Sequence, residues 1–154
     1  MAYEKVLVDS NVVVDLLARR EPFYEGARLL ALAGCANEVS IWISASQVTD
    51  LIYVLSEGGK KSRMPHVLES LRTLLSFVRV FAVDEQAIRA VLDTDWADAE
   101  DALVHEVARR LEADAIITRN QKDFEKSLVP VHDCDSYFRH LEADFGLSYS
   151  ELGL

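Results

Sequence analysis

KVLVDSNVVVDLL, residues 5–17, is the stretch that indicates how this chain folds, because a strand pattern runs directly into a helix pattern. KVLV (5–8) predicts a short strand. NVVVDLLARR (11–20) predicts a helix that stops before Pro22, because the residue preceding a proline is pushed out of the helical region. Asp9 stands at the junction. It is either the cap of the helix, a position that aspartate favours, or the first ligand of a metal site.

Strand and helix patterns alternate along the rest of the sequence. Further strands are predicted at EVSIWI (38–43), RVFAV (79–83), ADAIIT (113–118) and LVPV (128–131). Strands that alternate with helices favour a parallel sheet covered on both faces. We therefore predict an α/β fold, a three-layer α/β/α sandwich with a central, mainly parallel sheet, as a single domain over residues 1–154.

The helices between these strands carry recognisable start signals. A second helix is expected to begin at Pro22, which suits a first helical turn, and Ser44 followed by Gln47 has capping-box spacing for a helix through Leu55. Three more helices are predicted at 62–77, after Asp84 and at 98–112. A last helix is expected with Asp135 as its cap.

Composition bounds the class of protein. Half of the 154 residues are hydrophobic and 27% are charged, which is typical of a globular chain. The apolar runs are too short to span a bilayer, and the N-terminus shows no signal-peptide pattern, so we expect a cytoplasmic protein with no membrane contact. Cys35 and Cys134 fit no metal or disulfide spacing and are expected to be reduced thiols. The net charge of −10 argues against holding duplex nucleic acid by global attraction.

Acidic and amide side chains follow the predicted strands. In an open parallel sheet, ligands bind beyond the carboxyl ends of the strands. The residues expected at this edge are Asp9, Asp50, Asp98, Asp101, Asn120 and Asp123. Carboxylates gathered there repel one another unless a cation lies between them, and oxygen ligands without histidine or cysteine select Mg²⁺ or Mn²⁺. The pattern favours a metal-dependent nuclease whose activated water attacks a phosphodiester.

The chain resembles the PIN domain family in three ordered segments: VLVDSNVVVDLL, SASQVTDLIYVL and DAEDALVHEVARRLEADAIITRNQKDF. The resemblance runs roughly from Val6 to Val131, and the segments REPFY and TRNxKDF point to a bacterial subgroup. It implies a ribonuclease that cleaves single-stranded RNA with Mg²⁺ or Mn²⁺. It also implies a toxin of a toxin–antitoxin pair, with an antitoxin partner, and a homodimer.

Carried over to this sequence, the resemblance implies that Asp9 is the first metal-binding acid and Asn11 a residue that supports it. Asp50 stands where the family usually has Glu, and the Asp side chain is one methylene shorter. Asp101, in the DAL segment, is the third acid, and Asp98 is an extra acid one helical turn earlier.

The fourth acid is the main departure. Many relatives have Thr-Arg-Asp where this chain has Thr118, Arg119 and Asn120. The amide brings no negative charge, and Asp123 is the residue that could compensate. The resemblance thus implies catalytic roles for Asp9, Asp50, Asp101 and Asn120, with Thr118 in support.

Basic residues near the same edge are candidates for binding the RNA backbone, and the candidates are Arg19, Arg20 and Arg119. Each is also explained by ordinary solubility charge. Two neighbours are interpreted otherwise: Asp15 as solvent-facing or a rim contact, and His105 as a surface or hydrogen-bonded histidine rather than a general base.

Two alternatives remain open at this point. One is a catalytically weak PIN scaffold that binds RNA or a protein partner, suggested by Asp50 and Asn120. The other is a phosphotransfer domain with an Asp after a strand. It is disfavoured because Asn11 stands where a dehalogenase has its second Asp and because AIITRN offers Arg where a receiver domain has Lys.

Overall fold

A computed structural model describes residues 1–149 of the chain. Its five strands form one parallel sheet in the order β3-β2-β1-β4-β5. The strands are β1 (Glu4–Val8), β2 (Val39–Ser44), β3 (Val78–Phe81), β4 (Ala115–Ile117) and β5 (Val131–His132). The helices are α1 (Ser10–Leu17), α2 (Tyr24–Cys35), α3 (Ala45–Leu55), α4 (Met64–Leu74), α5 (Glu85–Leu92), α6 (Ala99–Leu111) and α7 (Cys134–Phe145), and a 3₁₀ turn spans Gln121–Phe124.

Both faces of the sheet are covered, which confirms the predicted α/β architecture. Along β1, Val6 and Val8 lie in a large hydrophobic cluster with residues of α1, α2, α4 and α7. Leu7 lies in a smaller cluster on the opposite face, with residues of α6 such as Val104 and Val107. This alternation follows from the two-residue side-chain period of a strand. The predicted bounds 1–154 extend into residues 150–154, which lie outside the described part of the chain.

Two predicted helix starts match the structure. Ser44 and Gln47 form the expected capping box, in which the Ser44 backbone N–H donates to Gln47 Oε1 at 2.7 Å. Asp84 caps α5 as predicted. The first helix, however, ends at Leu17 rather than Arg20, because the chain turns at Arg19 with a φ of 51°.

Three further predictions shift by a few residues. The second helix begins at Tyr24, two residues after Pro22. The cap of α7 is Asp133, whose Oδ1 accepts from the Ser136 N–H at 2.8 Å, while Asp135 lies in the first turn of the helix. The strand predicted at LVPV is instead Val131–His132, since only these two residues pair with β4.

The topology decides where the site lies. Because β1 is central and is flanked by β2 and β4, the carboxyl ends of these three strands meet at one edge. Asp9, Ser44 and Thr118 are the residues at those ends. Over residues 1–149, no helix is both long and apolar enough to cross a membrane.

Candidate functional site

Asp9 caps α1, which is one of the two roles that its sequence position allowed. Its Oδ1 accepts from the Ser10 N–H at 2.8 Å, which caps α1, and its Oδ2 accepts from the Thr118 hydroxyl at 2.8 Å. Burial raises the pKa of Asp9, the Thr118 hydrogen bond opposes that rise, and the nearby charge of Asp123 adds to it. The carboxylate is therefore held in a fixed orientation, and its ionised form is disfavoured by burial and by the charge of Asp123.

Asn11 links Asp9 to the end of β4. Its Nδ2 lies 3.4 Å from both Asp9 Oδ2 and Thr118 Oγ1, and its Oδ1 accepts from the Arg119 N–H at 3.5 Å. Thr118 is fully buried. The structure thus brings both predicted supporting residues against Asp9.

Asp98 and Asp101 open α6 together. Asp98 is the N-cap, and its Oδ1 accepts from the Glu100 N–H at 2.8 Å and the Asp101 N–H at 3.1 Å. Burial, and after it the charges of Asp98, Asp9, Asp123 and Glu100, together raise the pKa of Asp101 to about 7. Four carboxylates from three separate segments therefore interact at this edge.

Asn120 and Asp123 differ in what they bring to the edge. Asn120 is exposed and uncharged, and its backbone N–H donates to Thr118 Oγ1 at 3.1 Å. Asp123 lies in the 3₁₀ turn that follows, and its charge acts on both Asp9 and Asp101. The negative charge missing at Asn120 is thus supplied nearby by Asp123.

Asp50 is exposed on α3 and lines a cleft of about 270 Å³ together with Asp9, Ser10 and Asp101. The cleft places Asp50 on the same side of the molecule as the other acids. Within residues 1–149, however, no three Asp, Glu, His or Cys side chains are already arranged so that they could hold a metal ion.

Asp15 was misplaced by the sequence interpretation. It is not solvent-facing: only 1% of the residue is exposed, and its Oδ2 accepts from Arg119 Nε at 2.6 Å. Its Oδ1 is buried with no hydrogen-bond partner in the structure. The guanidinium of Arg119 also stacks over the Phe23 ring, 4.2 Å from its centroid. The one available sequence signal was the four-residue spacing from Asn11, which places both side chains on one helix face.

This ion pair changes what Arg119 offers a substrate, because Asp15 offsets much of its charge. Arg19 and Arg20 remain exposed in the loop after α1. Arg19 lies 5.9 Å from the ring centroid of Tyr24. Its guanidinium remains accessible to solvent, as a phosphate-binding role requires.

His105 is hydrogen-bonded, as one of the two interpretations held. Its Nε2 accepts from the Leu128 N–H at 3.0 Å, and its ring stacks on Trp96 at a centroid distance of 4.8 Å. Burial lowers the pKa of His105, which favours the neutral imidazole that this bond requires. His105 therefore makes a structural hydrogen bond that occupies its Nε2 atom.

The chain is similar to known proteins in sequence and in fold. A family model described as PIN domain matches residues 5–122. A curated relative from Aquifex aeolicus (strain VF5), "Ribonuclease VapC1", is 30% identical over 125 residues, which cover 80% of this chain and 86% of the relative.

Similar solved structures include FitAcB from Neisseria gonorrhoeae, with a TM-score of 0.64 at 17% identity over 84% of this chain and 97% of the other. DNA-bound VapBC from Salmonella typhimurium has a TM-score of 0.62 at 22% identity over 87% and 99%. A toxin-antitoxin complex from Klebsiella pneumoniae has a TM-score of 0.57 at 23% identity over 78% and 90%. At these identities the structures establish the shared fold.

Proposed function

The chain belongs to the PIN domain family, and from that membership we propose that it is a divalent-metal-dependent endoribonuclease that cleaves single-stranded RNA. The observation that carries this proposal is the repulsion among Asp9, Asp98, Asp101 and Asp123, which helps raise the pKa of Asp101 to about 7. Carboxylates kept close at such a cost are typical of sites that bind a cation. The relative named as a ribonuclease supports the same activity.

The donor set fits Mg²⁺ or Mn²⁺, because it consists of carboxylate oxygens without a histidine or cysteine ligand. Asp9, Asp101 and Asp123 would hold the ion, with Asp98 and Asp50 at the rim. When bound, the ion would neutralise charge on the phosphodiester and lower the pKa of a water. The acid side chains do not converge on one point within residues 1–149, so binding requires some of them to rotate toward the ion.

The remaining residues have supporting roles. Thr118 donates to Asp9, and Asn11 lies against both, so the Asp9 carboxylate cannot rotate freely. Arg19 and Arg20 are placed to attract the phosphates of a single strand. The Nε of Arg119 is bound by Asp15, which leaves its Nη atoms to contact a phosphate.

We also propose that the protein is the toxin of a toxin–antitoxin pair and a cytoplasmic homodimer formed from one PIN-like domain per chain. Support comes from the resemblance of its motifs and from the structural similarity to a toxin-antitoxin complex. A neighbouring gene for a small DNA-binding protein would support the antitoxin partner. Light scattering that gave a monomer would contradict the homodimer.

The activity is tested with purified variants on single-stranded RNA in the presence of Mn²⁺. We expect Asp9→Asn and Asp101→Asn to abolish cleavage, because each removes a charged metal donor. Asp135→Asn is the matched control, since it makes the same chemical change in the first turn of a different helix. Cleavage that persists in both site variants would overturn the assignment.

The alternative function is a catalytically weak PIN scaffold that binds RNA or a protein partner. Two observations favour it: no preassembled metal-binding set within residues 1–149, and the uncharged Asn120. Calorimetric titration with Mn²⁺ separates the two functions. The absence of both binding heat and acid-dependent cleavage would establish the scaffold.

A further inference from the structure

We propose that Trp96 and His105 are positioning residues that set the distance between Asp98 and Asp123 and thereby the divalent-metal affinity of the site. This inference rests on the metal site of the proposed function. We call the group the rim clamp, and its members are Asp95, Trp96, His105, Phe124, Lys126 and Leu128.

The clamp joins two segments that lie outside the sheet. Residues 93–98 lead into α6 and end at Asp98, whereas residues 121–128 contain the 3₁₀ turn with Asp123. No strand pairing therefore fixes these two acids relative to each other. Asp98 is fixed to α6 by its capping hydrogen bonds, so the separation of the two acids depends on how residues 121–128 are held against α6 and residues 93–98.

Trp96 provides the central contact. Its ring stacks on His105 with an interplanar angle of 26° and meets Phe124 edge-on at a centroid distance of 5.7 Å. Phe124 is 2% exposed and directly follows Asp123. A change in the position of the Trp96 ring is thus transmitted to the backbone that carries Asp123.

His105 anchors the same assembly to α6. It follows Asp101 by four residues and so lies on the same helix face. By accepting from the Leu128 N–H, it fastens the end of the 121–128 segment to the helix that carries Asp101. Helix α6 thus carries Asp101, is capped by Asp98 and holds the segment that carries Asp123.

A second connection crosses between the segments at the surface. Lys126 Nζ donates to the Asp95 backbone carbonyl at 2.9 Å and pairs with its carboxylate at 3.0 Å. Both side chains are exposed, so the pair contributes little to overall stability. It nevertheless limits how far the segments can separate.

Electrostatics explains why such a clamp is needed. Asp98, Asp101 and Asp123 carry like charges at one edge of the sheet, so they repel one another when no cation is bound. Segments free to move would separate and would have to be drawn together again on binding, at a cost in affinity. The rim clamp holds them in place beforehand, in the way that outer-shell contacts support metal ligands.

The test is calorimetric titration of the full chain with Mn²⁺. We expect Trp96→Ala to weaken binding by about tenfold, the order reported for lost outer-shell contacts, and Trp96→Phe to restore it to within about twofold, since an aromatic ring remains to pack. Trp42→Ala is the matched control, because Trp42 packs against the same smaller core cluster but contacts Phe81 and Arg79 instead. Thermal melts monitor folding. If Trp96→Ala does not fold, the surface change Lys126→Ala replaces it in the titration and is expected to weaken Mn²⁺ binding as well.

A spectroscopic experiment distinguishes positioning from simple core packing. The chain has two tryptophans, so Trp42→Phe leaves Trp96 as the sole emitter. We expect Mg²⁺ to change the Trp96 emission with the same midpoint as a calorimetric titration with Mg²⁺. We expect Asp101→Asn to abolish that change. An emission that does not respond, unchanged affinity in Trp96→Ala, or an equal loss in Trp42→Ala would overturn the clamp alone. A wild-type protein that binds no Mn²⁺ would overturn the proposed function and the clamp together.

Discussion

Asp101→Asn is expected to make the metal-free protein more stable while it removes metal binding. Burial and four neighbouring carboxylates raise the pKa of Asp101, so its ionised form is disfavoured in the folded state. An amide of nearly the same shape has no charge to repel. The residue is thus destabilising by itself, as is common for residues kept for function rather than for stability.

The size of the effect follows from the pKa. A rise from 3.8 to about 7 corresponds to roughly 4 kcal/mol if the whole shift reflects interactions in the folded state. Asp101 is partly exposed, so solvent screening reduces this to about 1–2 kcal/mol. Loss of a favourable charge at the start of α6 costs about 0.5 kcal/mol in return. The net gain is about 1 kcal/mol, or a melting temperature about 3 °C higher for a domain of this size.

The stability gained from Asp101→Asn depends on pH. Because the pKa is raised by folding, the folded state binds more protons than the unfolded state between about pH 4 and pH 7, and the penalty grows as pH rises through this range. The gain from Asp101→Asn is therefore largest at pH 8 and smaller at pH 5.

Thermal melts by circular dichroism in EDTA at both pH values measure this gain. Asp135→Asn, the matched first-turn change in α7, is expected to lower stability slightly because it only loses a favourable helix-end interaction. Adding Mg²⁺ should raise the melting temperature of the wild type and leave Asp101→Asn unchanged. A variant that melts below the wild type at pH 8, or whose gain is the same at pH 5, would refute the reasoning.

Three other changes test the packing around the site. Arg119→Met should lower the free energy of unfolding in urea by about 3 kcal/mol, because it leaves the buried Asp15 carboxylate without its partner. Asp15→Asn should lower it by less, because no buried charge then remains. Equal losses in the two variants would contradict this. Gly26→Ala should lower the melting temperature even though alanine is the better helix former, since its Cβ would lie 2.9 Å from Cys134 Cβ. Moving α2 away from α7 to relieve this contact should destabilise the fold by about 1 kcal/mol or more. A higher melting temperature would contradict the close packing. Ser44→Ala should cost about 1 kcal/mol through the lost cap of α3, and an unchanged unfolding curve would argue against the capping box.

The parts of the fold that the sequence predicted are those decided by local chemistry. The β1–α1 junction and the Ser44–Gln47 capping box depend on residues within a few positions of one another. The strand predicted at LVPV was misplaced because the extent of an edge strand depends on its neighbour, and β4 pairs only with Val131 and His132. Hydropathy along the chain carries no information about that register.

The candidate site shows the same division. The placement of Asp9 and Asp101 at one sheet edge could be predicted, because Asp9 follows a strand that ends there and Asp101 opens the helix that begins there. Asp15 could not be identified, because its burial depends on an arginine 104 positions away. The charge on Asp123 was noted in the sequence, but its action on Asp9 and Asp101 depends on how residues 121–124 fold back.

The position of β4 has a consequence for synthesis on the ribosome. Thr118, whose hydroxyl fixes Asp9, comes 109 residues later in the chain, and β4 fills the place beside β1 only after the preceding helix has emerged. A nascent chain that has reached residue 110 already contains Asp9, Asp50 and Asp101 but has one side of β1 unpaired. Folding of the N-terminal portion during translation therefore cannot complete the acidic edge. The proposed ribonuclease activity would therefore require the chain through Thr118 to have left the ribosome, so products that stop before β4 would not cut the RNA around them.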